Sequence, residues 1–121
     1  MTAQTTDRHG VRVLVLPEQG PVIADEQGAL DVIGQAFGEE AELVAIPLAR
    51  LDPAFTHLAS GVAGAIVQKF VNYRMRLVVV GPVEDPSVPL RDWMREANAG
   101  RELWFVADLA ELDTRLSGAR T

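Results

Sequence analysis

Residues 60–81 read SGVAGAIVQKFVNYRMRLVVVG. Val62, Ile66 and Phe70, with Ala63 and Val67 beside them, recur at helical spacing, which predicts a helix from about Leu58 to Asn72 with one buried stripe. Gln68, Lys69 and Asn72 fall on its polar side. The run Arg76 to Val80 is then almost wholly apolar and stops at Gly81-Pro82, as a strand buried on both faces would. A buried strand that directly follows a helix implies a parallel crossover, and this decides the fold class as α/β. The same stretch is a cationic island. No acidic residue falls between Ala59 and Val83, although the chain holds 17 Asp and Glu against 11 Lys and Arg.

The pattern extends in both directions. Toward the N-terminus, Val11, Val13 and Val15 alternate up to Pro17, and a short apolar run from Pro21 to Ala24 follows the turn residues Gln19 and Gly20. These predict an antiparallel first pair of strands. Ala29, Leu30, Ile33, Ala36 and Phe37 mark a helix that opens at Asp25 and Glu26 and stops at Gly38. Leu43 to Ile46, ended by Pro47, predicts a central strand. Toward the C-terminus, Ser87 caps a helix carrying Leu90, Trp93, Met94 and Ala97, closed by Asn98-Ala99-Gly100. Leu103 to Ala107 is a further strand. Asp108 then caps a last helix marked by Leu109, Leu112 and Leu116. The expected architecture is a single-domain mixed open sheet of about five strands with about four helices. Residues 1–10 are expected to be a disordered tail and residues 11–118 the domain.

Composition narrows the function. A chain of 121 residues that is 48% hydrophobic can bury one core and is too short for two ordinary domains. Its net charge of −6 and lack of a basic stripe argue against nucleic acid as a partner. The absence of cysteine excludes disulfides and thiol catalysis, and two histidines, His9 and His57, offer no metal-ligand spacing. No cofactor or metal is expected. The opening MTAQTTDRHG has no apolar core, and no apolar run approaches the roughly 20 residues a membrane helix requires, so the expectation is a cytoplasmic protein without a membrane partner.

The order of elements resembles that of the sulfate-transporter and anti-sigma-antagonist (STAS) domains. At a finer level, Ala63-Gly64, Gln68-Lys69-Phe70, Asn72-Tyr73-Arg74, Leu90-Arg91-Asp92 and Asn98 with Gly100 resemble the bacterial domain-of-unknown-function family 4180 across most of the chain. The chain departs from that family at Ala65 and Pro82, where members often carry a glutamate and an aspartate. The resemblance implies a fold and a bacterial source, and no established activity.

Two groups of residues could carry chemistry. The polar cluster Gln68, Lys69, Asn72, Tyr73 and Arg74, continued on the next helix by Arg91, Asp92 and Asn98, could receive an anion, Arg74 in bidentate fashion. The bland alternative has Arg74 paired with Asp92 or Glu96 and the rest as an ordinary solvated face. Loops at the carboxyl ends of the strands form the second group, with Asp52, His57 and Ser60 in one and Glu84, Asp85 and Ser87 in another. Ser60 lies where STAS antagonists carry a phosphorylated serine, but lacks their preceding aspartate. A catalytic triad of Asp52, His57 and Ser60 is disfavoured because no nucleophile-elbow pattern surrounds the serine. The preferred functional expectation is a non-catalytic regulatory or binding module, taking a protein partner, a second copy of itself or a small anionic ligand. The rival is a small enzyme acting on a carboxylate or phosphate substrate.

Overall fold

The structure is a computed structural model that describes residues 3–119. Five strands form one sheet: β1 (Gln4–Arg8), β2 (Val11–Val15), β3 (Leu43–Pro47), β4 (Arg76–Val80) and β5 (Leu103–Val106). Helices α1 (Glu26–Gly38), α2 (Val62–Asn72) and α3 (Val88–Ala99) connect the parallel strands, and α4 (Leu109–Ala119) follows β5. The strands lie in sequence order, β1-β2-β3-β4-β5, with β1 antiparallel to β2 and every later pair parallel. The expected mixed α/β sheet is therefore present.

Because every crossover steps in the same direction, a common hand places α1, α2 and α3 on one face of the sheet. Side-chain alternation records this. Leu14, Val44, Ile46, Leu77, Val79, Leu103 and Phe105 pack under those helices against Ala29, Ile33, Ala63, Ile66 and Phe70. The interleaved Val13, Leu43, Ala45, Val78, Trp104 and Val106 face the other way and meet Leu112 and Leu116 of α4. One face thus has three helices and the other has one.

The N-terminus departs from the expected tail. Residues 1 and 2 lie outside the described residues, but Gln4–Arg8 forms an edge strand paired from Gln4↔Val15 to Arg8↔Val11. The hairpin turns at His9 and Gly10, both at positive φ (52° and 83°), the combination a two-residue turn of the primed type requires. Arg8 Nη1 holds both carboxylate oxygens of Asp113 at 2.9 and 3.0 Å, tying β1 to α4. The segment Pro21 to Ala24 is not the expected partner strand. It makes a single parallel bridge, Ile23 with Leu51, in which Ile23 N–H donates to Arg50 O at 2.7 Å and Asp52 N–H donates to Ile23 O at 3.0 Å.

Arg50 holds this segment in place. Its side chain is buried, and it donates to three carbonyls: Nε to Pro21 O at 2.9 Å, and Nη1 to Pro17 O at 2.9 Å and Gln19 O at 3.3 Å. Gly20 runs over the guanidinium at φ 142°, and a Cβ there would stand 2.7 Å from Arg50 Cζ. Only glycine fits that approach.

Between β3 and α2 the chain makes three short 3-10 turns, Leu48–Arg50, Pro53–Thr56 and Leu58–Ser60. The expected start of α2 at Leu58 is displaced to Val62 because Gly61 takes a left-handed φ of 80° and ends the last turn. Phe55, fully buried, anchors this connection against Trp93, with ring centroids 6.2 Å apart. Among the described residues no helix is long and apolar enough to cross a membrane.

Replacing Arg50 by Met leaves the carbonyls of Pro17, Gln19 and Pro21 without their donor. It should cost about 1–3 kcal/mol, measured by urea denaturation, while far-UV circular dichroism shows unchanged secondary structure.

Candidate functional site

The carboxyl ends of the parallel strands form the floor of a cleft of about 740 Å³. β2 contributes Val15 and the following Leu16, β3 contributes Ala45 and Pro47, and β4 contributes Val80, followed by Gly81 and Pro82. Leu48, Ala49, Ala107 and Leu109 complete the apolar wall, and Glu18 and Asp108 are its two carboxylates. This is where ligands settle in open parallel sheets. Gly81, at φ 138°, lets the chain turn beneath the cleft, since a Cβ there would meet Leu48 Cβ at 3.1 Å. Asp108 also caps α4, its Oδ1 accepting from Glu111 N–H at 2.9 Å. Glu18 rides on the loop clamped by Arg50, so the buried arginine positions one of the two acids. Beside these two carboxylates the lining carries no side-chain hydroxyl, amine or imidazole among the described residues.

A second cleft, of about 520 Å³, brings together His57, Glu84, Asp85 and Ser87 from the two loops singled out in the sequence. Ser87 serves there as the cap of α3, accepting from Leu90 N–H at 3.2 Å. Asp52 and Ser60 do not join them. Asp52 caps the turn at Pro53–Thr56 through Ala54 N–H at 2.8 Å. Ser60 Oγ donates to Ala54 O at 2.8 Å and accepts from Val62 N–H at 3.2 Å, so the hydroxyl bridges the last turn to α2. Asp52, His57 and Ser60 form no relay.

The polar cluster of α2 is dispersed by its geometry. Gln68 Nε2 donates to Asn72 Oδ1 at 2.8 Å along the helix. Lys69 reaches across to Glu26 of α1 at 4.0 Å. Tyr73 stands exposed and meets the equally exposed Phe37 edge-on, centroids 6.4 Å apart. Arg74 takes a left-handed φ of 55° in the turn into β4 and pairs with neither Asp92 nor Glu96. Asp92 binds Arg95 instead, at 2.6 Å, and Arg91 is exposed on the same helix. Asn98 has a structural role: its Oδ1 accepts from Phe105 N–H at 2.7 Å and its carbonyl accepts from Arg115 Nη2, joining α3 to β5 and α4.

Three arginines absent from the candidate set stand together at the opposite edge of the sheet. Arg76 and Arg115 place Cζ 4.7 and 4.3 Å from the ring centroid of the buried Trp104. Arg76 Nε donates to Arg101 O at 2.9 Å. Burial, and next the neighbouring Arg101, lower the pKa of Arg76; Glu42 opposes the shift and Arg115 adds to it. Among the described residues no group of three or more His, Cys, Asp and Glu is placed to hold a metal ion.

An α/β protein with a sequentially ordered mixed sheet and a cleft at the strand ends is the class these features define. The chain belongs to the family described as domain of unknown function (DUF4180), which matches residues 8–116. Neither the curated proteins nor the solved structures gave a match.

Replacing Asn98 by Ala removes a half-buried bond to β5 and should cost about 1–2 kcal/mol in denaturant unfolding. Gln68→Ala, by contrast, loses only an exposed intrahelical bond and should stay within about 0.5 kcal/mol of the parent.

Proposed function

We propose that this chain is a non-catalytic binding module that holds a small, largely apolar molecule at the carboxyl ends of β2 to β5. The observation that carries this reading is the make-up of the 740 Å³ cleft, an apolar enclosure with Glu18 and Asp108 as its polar points. Volumes of about 300–1,000 Å³ suit small-molecule sites, and a few acceptors on an apolar wall fix a ligand's orientation. Two carboxylates favour a ligand with a cationic or hydrogen-donating end. Among the described residues the two carboxylates are the only ionisable groups on the cleft wall and have no hydroxyl, amine or imidazole beside them, an arrangement that supports recognition of a ligand over its turnover. The proposed setting is a bacterial cytoplasm. In a regulatory role, a protein partner or second copy would meet the exposed apolar group Phe37, Val71 and Tyr73 near the ends of α1 and α2.

The enzyme reading retains one specific support, the convergence of His57, Glu84, Asp85 and Ser87 on the second cleft. Its signature would be a turnover that His57→Ala abolishes in a folded protein.

Ala107 is exposed on the rim of the proposed ligand cleft, so Ala107→Trp should fill it without disturbing the core. Native mass spectrometry of the protein purified gently from its own cells should show a retained small molecule, and the Ala107→Trp protein should have lost it. Equal retention by both proteins would rule out this cleft as the site.

A further inference from the structure

Three of the five large hydrophobic side chains that stand exposed among the described residues, Phe37, Val71 and Tyr73, lie at one end of the α1–α2 layer. The two helices pack side by side and run in the same direction. Their N-terminal ends share a cleft lined by Asp25, Glu26, Ser60 and Gly61, and their C-terminal ends meet at the Phe37–Tyr73 ring contact, centroids 6.4 Å apart. Each of these rings is about half exposed, so the pair packs on itself and leaves an apolar surface in water. Gly34 lies three residues before Phe37 and hence on the same side of α1. It is exposed within the helix, and a Cβ there would meet nothing within 4 Å. Glycine weakens a helix interior relative to alanine, and packing among the described residues does not require it at this position.

The two helices carry opposite charge. The charged residues of α1 and the turn after it are Glu26, Asp31, Glu39 and Glu40; those of α2 and the turn after it are Lys69 and Arg74. Glu26 and Lys69 approach each other within the chain at 4.0 Å. At the aromatic end, Glu39, Glu40 and Arg74 are exposed and enter no ion pair among the described residues. Arg12 of β2 donates Nε to the backbone carbonyl of Glu39 at 2.8 Å, not to its carboxylate. Glu102 lines a cleft with Arg74 but stands outside ion-pair distance of it.

We propose that this face binds a second copy of the chain, in a twofold dimer in which α1 of each copy lies on α2 of the other. The proposal rests on the reading of Phe37, Val71 and Tyr73 as a contact surface and is independent of the ligand cleft. Charge complementarity selects both the occupant and the pairing. A surface with an acidic half beside a basic half is complementary to itself. A twofold axis parallel to the helices sets Glu39 and Glu40 of one copy over Arg74 of the other, twice, and places Phe37 of each over Tyr73 of the other. An axis across the helices would set α1 on α1 and bring like charges together. Exposed aromatic rings of this kind are the side chains that anchor the centres of protein interfaces, and Gly34 leaves α1 open to close approach.

The test is sedimentation equilibrium and native mass spectrometry of the full chain over a dilution series. The parent should show a monomer–dimer equilibrium. Phe37→Ser/Tyr73→Ser changes two exposed rings, so far-UV circular dichroism should be unchanged while dimerisation weakens by at least about tenfold. Gly34→Gln should also weaken the dimer yet raise the thermal midpoint of the diluted monomer, which separates lost association from lost folding. Charge reversal reads the pairing. Arg74→Glu alone and Glu39→Lys/Glu40→Lys alone should each weaken the homodimer, whereas an equimolar mixture of the two, one isotopically labelled, should form the mixed dimer preferentially because both contacts then join opposite charges. A parent chain that stays monomeric at millimolar concentration would leave the face to a different protein and overturn the proposal. So would a dimer indifferent to the Phe37 and Tyr73 changes, or charge variants that form no mixed dimer. Ligand retention at the strand ends is read separately by the Ala107→Trp comparison, so the two readings fail independently.

Discussion

The constraint on which the rest of this molecule depends is the direction of its crossovers. Strands that follow one another in sequence order, linked by connections of one hand, send α1, α2 and α3 to the same side of the sheet. The other side would remain an apolar surface were it not for α4, whose Leu112 and Leu116 cover Val13, Leu43, Ala45, Val78, Trp104 and Val106. One helix of this length cannot shield all four parallel strands along their full extent. At the carboxyl ends the sheet and its loops stay open, and the cleft with Glu18 and Asp108 lies there. The unequal layers and the site are two results of one topology.

Two devices hold the ends of that topology in register. On the α4 face, the Arg8–Asp113 pair, in which Nη1 donates to both carboxylate oxygens, fastens the edge strand to α4. Such a partly exposed pair contributes at most about 1 kcal/mol, and its use is to fix position. On the cleft side, the buried Arg50 gathers the carbonyls of Pro17, Gln19 and Pro21, with Gly20 as the residue that lets the loop approach so closely. A buried guanidinium satisfied by neutral carbonyls is costly to desolvate, so its presence here signals that the loop's shape matters. That loop carries Glu18.

Much of this was legible in the residues. The apolar runs at Leu43 to Ile46 and Arg76 to Val80 and the helical spacing of Leu90, Trp93, Met94 and Ala97 state their own structures, because burial on both faces or one leaves a direct mark on composition. β1 left no such mark: QTTDR is polar since it lies at the sheet edge, and its pairing is set by backbone bonds and by the left-handed His9-Gly10 turn. Pro21 to Ala24 misled in the opposite way. Only Ile23 packs into the core while Val22 stands exposed, and the backbone of Ile23 is bound by Arg50 and Asp52 rather than by a neighbouring strand of a hairpin. The polar cluster of α2 looked concentrated in sequence, yet successive helical positions diverge in space, so that Gln68 meets Asn72 along the helix while Lys69 reaches across to Glu26. Arg76, Arg101 and Arg115 were hidden because only strand pairing and the packing of α4 on Trp104 bring them together from distant parts of the chain.

The central claim is that the open strand ends bind a ligand and do not transform it. NMR mapping of a library of small apolar amines on the isotopically labelled chain tests this most directly. The account predicts shifts clustered at Val15, Ala45, Val80, Gly81 and Ala107, with every added compound recovered unchanged. Shifts clustered instead at His57, Glu84 and Asp85, accompanied by conversion of a bound compound to product, would contradict it.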